Sequence, residues 1–431
     1  MKIAIIGAGF TGLSSAYQLA KKGHTVTIFE QEENPGGLAI GYKEKQWSWT
    51  LEHHYHHWFS NDSFALNLAK EIHHEITIKK PHTNIFVNNT IYQLDSIGAF
   101  LSFPLLSLPQ RIWHLFTLGI LFKLNPFWQL LEGTHATTLP FIIGKKAYEI
   151  IWKPQLFNKL GNYMNSISLV WFWARIKKRT PMLAYPNGGF LVFAQHLAKT
   201  LEDKGVKIQY QTQITSITDN NTSTIVTLKD LSIHTFDKVI VTLPSFLFLK
   251  LCPGLPANYK AKLGQLKGLG AVNLVLRSKK EFFPDKTYWL SVCNTASHIM
   301  AIVEHTNFMD KKNYNNEHLL YIGNYMESSS DIYKLSKEQV LETYDPFLQK
   351  INPNYKNNII SYEVFKTPFA QPIIPIRYSK IIPPFITPLP NVYLANIEQV
   401  YPWDRGTNYA IELGYKIAKI VDETSSSHNY S

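Results

Sequence analysis

The sequence predicts an α/β protein in which a parallel sheet flanked by helices is joined to a helical region and a β-rich lobe. Three observations carry this expectation. Short β-branched runs alternate with amphipathic helical periods at both ends of the chain and again in its middle. A glycine-rich turn stands between the first such run and the first helix. The chain has 431 residues, 45% hydrophobic and 17% charged, which suffices for two or three domains with large cores and excludes disorder or a charge-rich coiled coil.

Lys2–Ile6 is a β-branched run ending at Gly7; Leu13 to Lys21 has helical spacing closed by Gly23; Thr25 to Phe29 is a second β-branched run. From Asn61 to Lys80 the pattern is helix then strand. Between Ser96 and Trp173 it is helical and aromatic, broken by Pro104, Pro109, Pro126, Pro140 and Pro154, and reads as an inserted cap. After Pro186 come a helix from about Phe190 to Lys204 and strands near Lys207–Tyr210, Thr224–Leu228 and Lys238–Thr242. Ala271 to Pro375 carries strands Val272–Leu276, Ile299–Val303 and Leu319–Gly323 and a helix, Lys337–Lys350. The proline-rich Pro383–Pro390 leads into a last strand, Val392–Leu394, and a last helix, Asn408–Val421.

The expected organisation is a discontinuous domain built from residues 1–60, 184–250 and 388–423. Residues 61–183 form a mostly helical cap, 251–387 a β-rich substrate lobe, and 424–431 a polar tail expected to fray.

Lys+Arg is 43 and Asp+Glu is 32, a net +11. The lysines are scattered, the densest cluster being Lys177-Lys178-Arg179, and neither zinc-finger spacing nor a basic helix occurs, so nucleic acid is not an expected partner. Two cysteines, Cys252 and Cys293, make no disulfide framework and suit a reducing, cytoplasmic location. The apolar start before Gly7 is too short for a signal peptide. Ile97 to Leu131 contains no acid, and its longest uncharged part, Ile112–Phe122, is about half of what spans a bilayer. Core packing is the expectation for Trp113, Phe116, Phe122, Phe127 and Trp128, with a substrate box as their alternative, and a cap touching a membrane or a greasy substrate is the alternative for the stretch as a whole.

Gly7-Ala8-Gly9-Phe10-Thr11-Gly12 is a G-x-G-x-x-G that follows a strand and opens a helix, and Glu30 ends the next strand. This is the Rossmann dinucleotide fingerprint. Its glycines admit backbone N–H groups close to a pyrophosphate at a helix N-terminus, and Glu30 accepts from ribose hydroxyls. The doublet Gly36-Gly37, the segment Tyr185 to Phe190 opening a second helix, and Ala395-Asn396 followed by Gly406-Thr407-Asn408 favour FAD over NAD.

This constellation resembles the flavin amine oxidase, protoporphyrinogen oxidase and phytoene desaturase superfamily over nearly the whole chain. It looks most like a protoporphyrinogen oxidase-like bacterial branch, through Glu52–Phe59, Trp152–Leu156 with Lys159 and Gly161, and Asn391–Gly414. The resemblance implies an FAD-dependent oxidoreductase that passes hydride to flavin N5. Gly7, Gly9 and Gly12, with Phe10 and Thr11 in the turn, would hold the pyrophosphate and Glu30 the ribose. Gly36, Gly37 and Leu38 would pass the ribityl and flavin, and Ile214 would contact adenine by its backbone. Thr242 would mark the exit into the substrate domain. Asn396 stands where many members have an acid, and Gly406, Thr407 and Asn408 would face the flavin pyrimidine edge. Asn34-Pro35 departs from the Arg or Lys that often precedes the double glycine. No second G-x-G-x-x-G follows a strand, since Gly268-Leu269-Gly270 lacks the third glycine, which disfavours a dedicated nicotinamide domain.

Glu52-His53-His54-Tyr55-His56-His57-Trp58-Phe59 has four histidines in five residues. Extended, it would put His54 and His56 on one face and His53 and His57 on the other. No metal set is assignable. The readings are packed loop histidines or a substrate wall in which His54, His56 or His57 acts as acid or base. A His-x-x-His similarly placed in UDP-galactopyranose mutases resembles this segment, and His53 and His56 fit that spacing too. Arg405 suits a carboxylate or phosphate, or else pairs with Asp404 to hold the turn. Lys159 either positions water beside flavin or is a solvated surface lysine. The expected substrate is a small molecule, largely apolar or with an apolar anchor. A mutase acting on a sugar nucleotide and a non-catalytic flavin-binding protein are the alternatives.

Overall fold

The structure, a computed structural model, describes residues 1–426. Five short strands form a parallel sheet in the order Lys207–Gln209, Thr25–Phe29, Lys2–Ile6, Lys238–Val241, Val392–Leu394. The three inner strands and Val392–Leu394 are mostly buried apolar runs, as parallel strands covered on both faces require, while the edge strand Lys207–Gln209 stays partly exposed. The order steps one way from Lys2–Ile6 to Lys207–Gln209 and the other way to Val392–Leu394. The chain therefore reverses beside Gly7, where open α/β sheets bind ligands.

The helix Phe10–Lys21 packs against the last helix, Thr407–Ser426. Their crossing is close: a Cβ on Gly414 would lie 2.0 Å from Ser14 Oγ, and that hydroxyl reaches Ile411 O at 3.3 Å. The last helix thus continues through residues 424–426, where fraying was expected; the rest of that expected tail, 427–431, lies outside the described residues. Backbone pairing to the helix outweighs the polar composition there.

A second, seven-stranded mixed sheet carries the β-rich lobe in the order Ile359–Pro372, Gly268–Ser278, His318–Met326, Ala301–Glu304, Thr287–Val292, His82–Val87, Thr90–Gln93. The last two come from residues expected in the helical cap. They join the sheet because His82–Val87 pairs in parallel with Thr287–Val292, burying Ile85, Phe86 and Val87. Ile76–Lys79 likewise pairs with Leu183–Pro186. Beyond residue 96 the cap is helical and proline-broken, with Phe122, Leu139, Ile143 and Trp173 in its core. The core expectation fails for Trp113, Phe116 and Phe127, which are 51%, 57% and 62% exposed. No helix of the described residues is long and apolar enough to cross a membrane.

Candidate functional site

The glycine turn is shaped by close backbone approaches. A Cβ on Gly12 would lie 2.0 Å from Gly7 O, and one on Gly37 would lie 3.1 Å from Gly9 Cα. Gly7 sits at φ +105° with Thr242 over it; the Thr242 hydroxyl donates to Ile6 O at 2.8 Å. The doublet is bonded back onto the fingerprint: Gly36 N donates to Ala8 O at 3.0 Å, and Gly9 and Gly36 form an isolated parallel bridge. Leu38, exposed, follows on a 3-10 turn, Gly37–Ala39, whose Ala39 is buried.

Gly9 caps the first helix without a side-chain acceptor, and no acid lies in the first turn. The opening N–H groups therefore have neither an intrahelical acceptor nor a carboxylate, the arrangement that receives a phosphate. Phe10 points away, stacked on Phe193 at 5.5 Å, so it has only its backbone to offer; Thr11 is buried at the helix crossing. Glu30 takes Ala8 N at 2.7 Å and Glu32 N at 3.0 Å. Burial pushes its carboxyl upward against those bonds. Thr212 N donates to Glu30 O at 2.8 Å, which brings Ile214 beside the end of this strand. A turn that only glycines allow, an uncapped helix and an adjoining acid fit an adenine dinucleotide such as FAD.

Asn396 is turned inward. Its Nδ2 donates to Leu243 O and Ser245 Oγ at 3.1 and 3.2 Å, and its Oδ1 accepts from Glu398 N. The acid of this crossing is Glu398, 2% exposed and bonded to Ser245 N and Oγ. Sequence reading passed over it because its partner lies 153 residues away.

The histidine segment hangs between the glycine doublet and the last helix. His53 N donates to Ile40 O at 3.0 Å, and the Trp58 indole donates to Thr407 Oγ1 at 2.5 Å. Asn408 Oδ1 accepts from Ala65 N at 3.1 Å, while Gly406 is exposed. Thr407 and Asn408 thereby spend their side chains on packing and keep first-turn N–H groups without intrahelical acceptors.

Each histidine finds its own neighbours. His54 Nδ1 lies 2.6 Å from Asn273 Nδ2; His57 Nδ1 lies 3.1 Å from Tyr288 Oη; His53 stacks on Phe365 at 4.0 Å. His56 Nδ1 lies 2.5 Å from His54 O; a carbonyl only accepts, so the proton is on Nδ1 and Nε2 is a bare acceptor. Burial lowers His53 and His56 to about 4 and His54 and His57 to about 3. All four are neutral at pH 7. Among the described residues no group of three His, Cys, Asp or Glu side chains converges as a metal site.

Glu52, 1% exposed, is the buried acid that the sequence did not flag. It accepts from Tyr185 Oη at 2.8 Å and Phe190 N at 2.8 Å, and burial raises it to about 7. The signal lay in Gly188-Gly189: a Cβ on Gly189 would meet Thr50 Oγ1 at 2.4 Å and Glu52 Oε1 at 3.2 Å.

Arg405 does not hold its turn by a hydrogen-bonded pair with Asp404. Asp404 bonds Arg175 at 2.7 Å, whereas Arg405 donates to Gln371 Oε1 at 3.1 Å and to Tyr325 Oη. Burial would raise Asp404, but Lys159, Arg175 and Arg405 outweigh it and hold the carboxyl at about 2. Lys159 is no surface lysine. It is 7% exposed, its Nζ over the rings of Tyr325 and Trp171 at 4.9 and 5.7 Å.

Two families match this chain: residues 5–72 match the NAD(P)-binding Rossmann-like domain, and residues 146–417, more than half of the chain, match the flavin containing amine oxidoreductases. Coproporphyrinogen III oxidase from Staphylococcus aureus is 26% identical over an alignment of 290 residues that covers 57% of this chain and 61% of that protein. The chain therefore spans less than two thirds of the length of this curated relative. An oxidoreductase from Methanosarcina mazei superposes with a TM-score of 0.78 at 18% identity, covering 97% of this chain and 100% of that one. Reduced UDP-galactopyranose mutase superposes with a TM-score of 0.74 at 16% identity, covering 98% and 96%. Both likenesses are of fold.

Proposed function

The chain belongs to the flavin containing amine oxidoreductase family, and from that premise we propose that it is an FAD-dependent oxidoreductase taking a hydride from a small, largely apolar molecule. The supporting observation is the pairing of an uncapped glycine turn with a second open helix end, tied through Trp58 to the histidine segment. When bound, FAD supplies the hydride-accepting N5.

The chain's own groups bind and orient. Main-chain N–H groups of Gly9 to Gly12 meet the pyrophosphate, and Glu30, already fixed by Ala8 N, accepts from the ribose. The N-terminus of the last helix, at Thr407 and Asn408, favours negative charge at the flavin pyrimidine edge. His56 presents Nε2 as a neutral acceptor, and Arg405 supplies fixed positive charge on the same side. Asn273 and Tyr288 fix the rings of His54 and His57.

The reading includes contact of the cap with an anionic membrane surface. Ile112, Phe116, Leu124, Phe127, Leu130 and Phe141 are 54–88% exposed, and Lys123, Lys145 and Lys146 are exposed beside them. An apolar substrate would be drawn from such a surface.

The test is anaerobic mixing of the flavin-loaded protein with a panel of amines, porphyrinogens and polyene precursors. Bleaching of the flavin by one of them supports hydride abstraction. Turnover of a sugar nucleotide that requires prior flavin reduction would replace this reading with that of a mutase, and no response across the panel would leave a flavin-binding protein without this chemistry.

A further inference from the structure

We infer that Lys159, Arg175 and Arg405 form a subsite for an anionic group, carboxylate or phosphate, carried on an otherwise apolar substrate. The inference rests on the proposed function and specifies its substrate class.

Three cations meet one acid. Asp404 is occupied by Arg175 at 2.7 Å and by Gln371 Nε2 at 3.4 Å. Arg405 commits Nε to Gln371 and one terminal nitrogen to Tyr325, leaving the other terminal nitrogen without an acceptor among the described residues. The Lys159 ammonium, in a residue 7% exposed, has no hydrogen-bond acceptor or ion pair among the described residues; only aromatic faces hold it. Trp171 lies under both Lys159 and Arg175, at 5.7 and 5.0 Å, and Tyr325 under both Lys159 and Arg405, at 4.9 Å each. The lysine is therefore bracketed by the two guanidiniums.

An ammonium largely withdrawn from water without a partner is costly, and like charges beside it add to that cost. Burial and the two arginines push its pKa well down, with Asp404 the one acid acting against them. A bound anion would relieve all three cations at once. The faces shown beside the cations are aromatic, those of Trp171 and Tyr325. Arg405 acts electrostatically on His54 and His56, so the cluster adjoins the histidine segment rather than the glycine turn. A protonated amine would be repelled, so the amines of the family's name are poor candidates for this subsite.

The experiment titrates the flavin-loaded protein below micelle concentrations with dodecanoate, dodecyl phosphate, dodecanol and dodecylammonium. Binding is read by intrinsic tryptophan fluorescence, since Trp171 lies under both Lys159 and Arg175, and in parallel by the flavin spectrum. Both anions are expected to bind at least about tenfold tighter than dodecanol, and the ammonium weakest. Lys159→Met, which keeps the contact with the rings, should lose most of that preference with flavin content unchanged, and Arg405→Gln should lose most of it as well. Inorganic phosphate should compete with dodecanoate in the wild type, a check that needs no variant. Equal binding of dodecanoate and dodecanol, or an anion preference that survives both substitutions, would overturn the subsite. A flavin-loaded protein without the preference refutes the subsite alone. A protein that takes up no FAD yet prefers the anions refutes the proposed function alone.

Discussion

Trp58 and Thr407, 349 residues apart, share a hydrogen bond of 2.5 Å that fastens the histidine segment to the start of the last helix. Trp58 is 1% exposed and packs edge-on against Phe190 and Phe193, so its indole N–H has no access to water. Thr407→Val keeps the shape and removes the acceptor. It should cost about 1–3 kcal/mol, read as a lower midpoint of chemical denaturation, while Thr407→Ser should stay near the wild type. Equal midpoints for valine and serine would mean that the bond contributes nothing.

Glu52 sets one arm of the pH dependence. Its carboxyl moves from an ordinary 4.5 to about 7, because burial outweighs the bonds from Phe190 N and Tyr185. The folded state thus holds the proton more tightly than the unfolded state. Stability from this group is present below about 4.5 and is lost as pH rises through about 7. Glu52→Gln should gain on the wild type between pH 5 and pH 8 by on the order of 3 kcal/mol. Parallel stability curves for the two proteins would contradict this.

The histidines set the other arm. His53 falls from an ordinary 6.5 to about 4 by burial alone, so the unfolded chain takes up the proton first as pH falls. Stability is lost progressively below about 6.5. His53 stacks on Phe365 with 6° between the rings, an arrangement that phenylalanine can copy. His53→Phe should therefore be less sensitive to acid between pH 6.5 and pH 4 than the wild type. An unchanged acid limb in denaturation curves would show that the ring is free to protonate where it sits.

The exposed cap predicts lipid binding. The wild type should co-sediment with vesicles rich in anionic phospholipid and much less with neutral ones. Phe116→Glu with Leu130→Glu should abolish this, because both side chains are exposed, at 57% and 77%, and the change also reverses the local charge. Retention of vesicle binding by the double variant would place the contact elsewhere.

What was legible in the sequence was local. Strands Lys2–Ile6, Thr25–Phe29, Thr224–Leu228 and Val392–Leu394 fall where their β-branched runs lie, and the glycine turn carries its own spacing. The long strand Ile359–Pro372 was not legible. It is an edge strand, half-exposed over most of its length, with a register shift near Pro368, so it lacks alternation. Glu52 with Tyr185, His54 with Asn273, and Arg175 with Asp404 are separated by 133, 219 and 229 residues. No local period records such pairs. Lys159 was ambiguous for the same reason: its burial depends on Trp171 and Tyr325, which arrive from two other elements.

The most direct measurement is the flavin content of purified protein, wild type beside Gly12→Ala and Gly98→Ala. A Cβ at Gly12 would sit 2.0 Å from Gly7 O, whereas one at Gly98 meets nothing within 4 Å. Stoichiometric FAD in the wild type and in Gly98→Ala is expected, with none bound or taken up by a Gly12→Ala protein of unchanged circular dichroism. A colourless wild type that refuses added FAD, or a Gly12→Ala protein as yellow as its parent, would contradict the account.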